Sequence, residues 1–133
     1  MKIAIIVPME EEAEFYKKHF KSENKEVFGT TEFDHFSVNG NDIYLGLSGI
    51  GKVNAAMNLT SLLTKEDIDL IFMTGSAGSL QEDVKRKDLI LPNKFMYYDA
   101  HNTSAGNYVE GQIPQEPAGY TLDNAFRAKF AVY

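Results

Sequence analysis

Two stretches of this sequence carry residue types that could do chemistry. Thr74-Gly75-Ser76-Ala77-Gly78 offers two hydroxyls, a run of peptide N–H groups and almost no bulk, so a ligand can approach the backbone closely there. Met9-Glu10-Glu11-Glu12 supplies three consecutive carboxylates. Each also has a plain structural explanation. Glycine suits a tight strand-to-loop turn whether or not anything binds, and acids in a first helical turn stabilise the positive end of the helix dipole. What sets the two stretches apart is position: each follows an apolar run that reads as a strand covered on both faces, residues 2–7 and 68–73. In an open α/β sheet, ligands bind beyond the carboxyl ends of such strands.

The spacing of apolar residues shows what must position these groups. Beyond Pro8, which suits a strand exit or helix entry, Met9, Ala13, Tyr16 and Phe20 recur at helical steps and form one stripe. At about 100° per residue Glu12 lies about 70° from the centre of that stripe, while Glu10, Glu11 and Glu14 lie further round. Glu12 is thus the carboxylate nearest the core. Residues 27–29, 33–38 and 43–47 read as strands, the last two joined by Asn39-Gly40, a hairpin signal that tolerates left-handed dihedrals. His35 stands alone among strand residues and is assigned to surface or packing, because no ligand-spaced partner accompanies it. A helix follows, with an expected inner face of Val53, Ala56, Met57, Thr60 and Leu63. Residues 88–92 predict a further short strand and 94–99 another. Residues 100–119 form a loop long enough to be either functional or mobile, and residues 121–130 resume a helical pattern that ends in Ala131-Val132-Tyr133.

Residues 46–53 match the phosphate-loop pattern GxxxxGK, but Val53 occupies the place of the magnesium-binding Ser or Thr, and the next strand ends in Thr74 rather than an acid. A nucleotide triphosphatase is therefore a weak reading.

Composition sets the outer bounds. The 133 residues fit one domain, and the absence of cysteine excludes a disulfide framework, a thiolate nucleophile and a cysteine metal site. The net charge of −6, from 13 basic and 19 acidic residues, argues against a nucleic-acid partner. No apolar run reaches membrane-spanning length, and the apolar start turns acidic too soon for a secretory signal, so a cytoplasmic protein is expected.

Taken together, the strand running into Met9-Glu10-Glu11-Glu12, SGIGKVNAA at residues 48–56, TGSAG at 74–78, YYDA at 97–100 and GQIP…PAGY at 111–120 resemble the methylthioadenosine/S-adenosylhomocysteine nucleosidases of the nucleoside phosphorylase superfamily. The resemblance implies an α/β fold with a mixed, largely parallel twisted sheet flanked by helices, of which residues 1–133 form the N-terminal part of a single domain. It implies hydrolysis of the N-glycosidic bond of a 5′-thio-substituted adenosine, releasing adenine and a thioribose. Glu12 matches the family's water-activating acid, and partial burial beside the apolar stripe would raise its pKa toward neutrality. Met9 and Ile50 would line the sugar and thio-substituent, while Ser76, Ala77 and Gly78 would border the water and nucleoside. Pro114 would reach the ligand of a neighbouring subunit in a homodimer. No metal or cofactor is implied.

Two departures from the family pattern bear on function. Ala105 stands where the family often has Phe, and residues 107–110 carry an extra residue, which alters the thioalkyl pocket. The family also continues well past position 133, and that further half supplies the ribose-binding Met-Glu pair and the Asp that protonates adenine. The 133 residues alone are accordingly expected to be poor or inactive in turnover. The alternatives are a non-catalytic nucleoside-binding or assembly module, or a phosphorylase using phosphate in place of water.

Overall fold

The structure is a computed structural model and describes residues 1–130; Ala131, Val132 and Tyr133 lie outside the described residues. Two compact units divide at Gly78 and Ser79.

The first unit runs β1 (Lys2–Val7), α1 (Glu10–His19), β2 (Asn24–Phe28), β3 (Thr31–Val38), β4 (Asn41–Leu47), α2 (Lys52–Leu63) and β5 (Leu70–Met73). Its five strands form one mixed sheet in the order β2-β3-β4-β1-β5. β1 pairs in parallel with both β4 and β5, while β2-β3 and β3-β4 are antiparallel. The Asn39-Gly40 turn closes the second hairpin with φ of 50° and 75°, the left-handed pair its sequence predicts.

Strand alternation sends side chains to opposite faces, and each face carries a core. Ala4, Ile6, Phe28, Phe33 and Tyr44 pack with Leu62 of α2, joined by Leu59 and Ile68. On the other face Val7, Phe36 and Leu45 pack with Ala13 of α1, joined by Tyr16 and Phe20. The α1 stripe therefore sits as its spacing predicts. α2 does not. Val53 and Met57 are 71% and 59% exposed, and the buried side is Leu62 with Leu59. Both sides of this helix are apolar, so periodicity alone could not choose, and the packing of Leu59 and Leu62 against the Phe28–Phe33 cluster decides.

β5 also departs from expectation. It is an edge strand among the described residues, and Ile71 and Met73 on it are exposed rather than covered on both faces. His35 is half-buried, its ring stacked on Tyr44 and its Nδ1 2.8 Å from Asn24 Oδ1, which is a packing role.

The second unit contains β6 (Lys94–Phe95), which pairs antiparallel with β7 (Tyr120–Thr121), and α3 (Asn124–Phe130). Asp123 caps α3 by accepting the Phe126 N–H at 2.9 Å. The strand expected at residues 88–92 does not form: Leu89 and Ile90 are exposed, with no partner strand to satisfy their backbone. The strand expected at 94–99 shortens to two residues. The long loop is tied internally by Gly111 N–H to Ala100 O at 3.0 Å and Asn102 Nδ2 to Gln112 O at 2.9 Å. No helix among the described residues is long and apolar enough to cross a membrane.

Candidate active site

Three parallel strands end together at one rim, where Val7 lies opposite Leu47 and Ile6 opposite Met73. The ladder continues one step into each neighbouring loop. Val7 O accepts the Ser48 N–H at 2.9 Å, and Ile6 O accepts the Thr74 N–H at 3.0 Å. Strand order reverses about β1, so the loops after β1, β4 and β5 converge where open α/β sheets take ligands.

Met9 is the N-cap of α1, and Glu12 is the third residue of the helix. Its carboxylate works in two directions. Oε2 accepts the Met9 N–H at 3.2 Å, the return half of a capping box, and Oε1 accepts both the Ser76 N–H at 2.7 Å and the Ser76 Oγ–H at 2.8 Å. Gly75 makes this approach possible, because a Cβ there would stand 3.0 Å from Glu12 Oε1. The acidic stretch and the small-residue loop thus meet at one rim, as their positions in sequence suggest. Glu10 instead pairs with Lys17 at 2.7 Å, and Glu11 and Glu14 are exposed.

The Ser76 backbone and hydroxyl bonds hold the Glu12 carboxyl below its ordinary pKa; partial burial opposes them, and the Met9 N–H assists. The expectation of a raised pKa is therefore corrected: donated hydrogen bonds favour the charged form more than burial disfavours it. This has a consequence for stability in acid. The charged form is held more tightly in the folded chain, so the stabilisation is present above the unfolded-state pKa and is lost as pH falls through the lower folded-state value. Ser76 is exposed, so water screens part of the effect. Urea unfolding at successive acid pH values should show a shallower loss of stability for Glu12→Gln than for the parent. Parallel pH profiles would remove this assignment.

Of the other residues expected to form the site, Met9 is half-buried beside Glu12, and Ala77 and Gly78 follow Ser76 on the exposed loop. Ile50 lies on the β4–α2 turn, 72% exposed. That turn is pinned by Asn54 Nδ2 to Ile50 O and Asn58 Nδ2 to Ser48 O, at 2.8 and 2.7 Å. Pro114 belongs to the second unit, in an exposed turn.

One contact was not legible in sequence. Tyr16 Oη donates to Thr74 Oγ1 at 3.1 Å, so a residue read only as part of the apolar stripe also reaches the rim. The signal available was its place one helical turn beyond Glu12. A separate hollow of about 210 Å³, bordered by Lys17, Thr31, Asp34 and Leu47, includes none of these site residues. Among the described residues no group of three or more His, Cys, Asp or Glu gathers as metal ligands.

A family model described as the phosphorylase superfamily matches residues 2–131. The 5′-methylthioadenosine/S-adenosylhomocysteine nucleosidase of Bacillus licheniformis is 38% identical over 125 residues, covering 94% of this chain and 54% of the relative. That of Maridesulfovibrio salexigens is 40% identical over 123 residues, covering 92% and 53%. The solved nucleosidase from S. pneumoniae, in complex with the transition-state inhibitor MT-ImmA, superposes with a TM-score of 0.90 at 31% identity, over 98% of this chain and 56% of that one. The chain spans about half the length of the curated relatives it matches.

Proposed function

The chain belongs to the phosphorylase superfamily, and from that premise we propose that Glu12 and Ser76 form the water-activating side of a nucleosidase site. The reaction is hydrolysis of the N-glycosidic bond of methylthioadenosine or S-adenosylhomocysteine, the compounds in the names of the relatives, to adenine and a thioribose.

The observation that carries this reading is the state of the Glu12 carboxylate. A carboxylate has about four acceptor positions, and three are filled by Met9 and Ser76, which leaves one for a water molecule. Glycosyl transfer passes through an oxocarbenium-like state, whose electrophilic carbon needs a well-oriented water more than a strong base. The water's oxygen bonds to the anomeric carbon and its proton goes to Glu12 as the bond to adenine breaks; the base leaves with the bonding electron pair and takes its proton from solvent. A carboxylate held in its charged form also repels phosphate, which favours hydrolysis over phosphorolysis.

The surrounding roles follow the same reading. Met9 and Ile50 border the sugar and thio-substituent, and Ser76, Ala77 and Gly78 border the water and nucleoside. A second copy completes the site through Pro114. The exposed apolar stripe of Ile50, Val53 and Met57 supports such a homodimer. The protein works in the cytoplasm, in methionine salvage. Residues 1–133 form the N-terminal part of one nucleosidase domain, and none of the residues named above has the role of protonating the leaving base. Missing one such group slows a reaction on the order of 10²- to 10⁴-fold.

The test is adenine release from methylthioadenosine by the purified chain, with and without phosphate. Slow release giving free methylthioribose is expected. Phosphate-dependent formation of a sugar phosphate would replace hydrolysis with phosphorolysis, and failure to bind the nucleoside would overturn the reading.

A further inference from the structure

Glu12 and Tyr16 lie four residues apart on α1, one turn along the same face, while Ser76 and Thr74 lie two residues apart beyond β5. Each helix residue bonds one loop residue: Glu12 to Ser76 at 2.7 and 2.8 Å, and Tyr16 to Thr74 at 3.1 Å. The two separations are compatible. Four helical residues rise about 6 Å, and two extended residues span about 6.6 Å, so both links can close at once.

Each end of the second link has one further anchor, which leaves the Thr74 side chain and the onward course of the chain to the link itself. Tyr16 packs against the Val7, Ala13 and Leu45 cluster, which sets the height of its hydroxyl, and the Thr74 N–H is held by Ile6 O at 3.0 Å. Between the links lies Gly75, where an added Cβ would press on the Glu12 carboxylate at 3.0 Å. By contrast Ser76 is exposed and outside any regular element. Its bonds to Glu12 therefore depend on where Thr74 leaves the chain.

We propose that Tyr16 is a positioning residue: its hydroxyl, acting through Thr74, sets the loop so that both donors of Ser76 reach Glu12. This deepens the reading of Glu12 as the water-activating group and rests on it for its functional meaning. The contact itself is tested without any nucleoside.

The experiment follows the Glu12 side-chain carboxyl and the Ser76 amide by NMR as a function of pH, in the parent chain and in Tyr16→Phe, Thr74→Val, Thr74→Ser and Ser76→Ala. Tyr16→Phe keeps the ring and its packing, and Thr74→Val keeps the shape. Both should move the Glu12 titration midpoint upward, in the same direction as Ser76→Ala, and weaken the response of the Ser76 amide to Glu12 ionisation. Thr74→Ser retains a hydroxyl and should restore the parent midpoint. A purely structural Tyr16 would lower thermal stability and leave the midpoint in place. An unmoved midpoint in Tyr16→Phe and Thr74→Val, with Ser76→Ala shifted, overturns the proposal. A chain that shows the expected shifts yet neither binds nor cleaves methylthioadenosine would instead retain the positioning contact and refute the nucleosidase reading.

Discussion

Phe33→Ala is expected to remove a large part of the stability of the first unit. Phe33 is fully buried and lies directly opposite Gly46 across the β3-β4 pair, with its ring over the glycine backbone. A Cβ at position 46 would stand 2.2 Å from Phe33 Cε1, so the glycine exists to admit the ring. Phe28 meets Phe33 edge-on at a centroid distance of 5.5 Å and Tyr44 at 6.0 Å, which makes Phe33 part of a connected aromatic cluster. Truncating a buried Phe costs about 3–5 kcal/mol, against total stabilities of about 5–15 kcal/mol for domains of ordinary size. No side chain at position 46 can move in to fill the cavity. Urea denaturation should show the midpoint falling by that loss divided by the slope, with the slope itself retained, and a loss below about 1 kcal/mol would mean that the ring is not packed as described. Gly46→Val alone overpacks the same space and should cost about 1–3 kcal/mol or more. Combined with Phe33→Ala it should cost less than the sum, because the added methyl groups occupy part of the vacated volume.

Phe33 and Gly46 also illustrate what the residue order could and could not convey. The strands carrying them were legible, because alternation and the Asn39-Gly40 turn are local signals. The glycine falls within a phosphate-loop pattern, yet its role is set by a residue thirteen positions earlier. α1 was legible for a similar reason: one side of the helix is apolar and the other charged, so the spacing both identified the helix and placed Glu12 nearest the core. α2 has two apolar sides, and only the presence of Phe28 and Phe33 across the sheet selects Leu59 and Leu62 over Val53 and Met57. β5 is as apolar as β1, but cover depends on neighbours, and among the described residues it has a paired strand on one side only. At the site, the meeting of Glu12 with the 74–78 loop followed from strand order, whereas the direction of its pKa did not. That direction depends on two donors from Ser76, residue types whose aim no spacing reveals.

On the proposed reading of Glu12 as the water-activating group, Glu12→Gln should abolish most hydrolysis while sparing nucleoside binding. The substitution keeps the size of the side chain, but the amide oxygen can accept from only one of the two sides, Met9 or Ser76, and the amide cannot take a proton from water at neutral pH. Loss of a positioned general base costs on the order of 10²- to 10⁴-fold in rate. The parent chain is itself expected to be slow, so the comparison belongs in single turnover, with protein in excess over methylthioadenosine and adenine followed over hours. Adenine affinity provides the control, because the departing base lies on the opposite side of the anomeric carbon from an attacking water, and it should be nearly equal in the two proteins. A Ser76→Ala chain separates orientation from charge. It retains the carboxylate but removes one of the two Ser76 donors, so its rate should fall less than that of Glu12→Gln while its acid limb moves to higher pH. Hydrolysis by Glu12→Gln at the parent rate would show that water is activated elsewhere, and the carboxylate would then be a helix cap that happens to touch a loop.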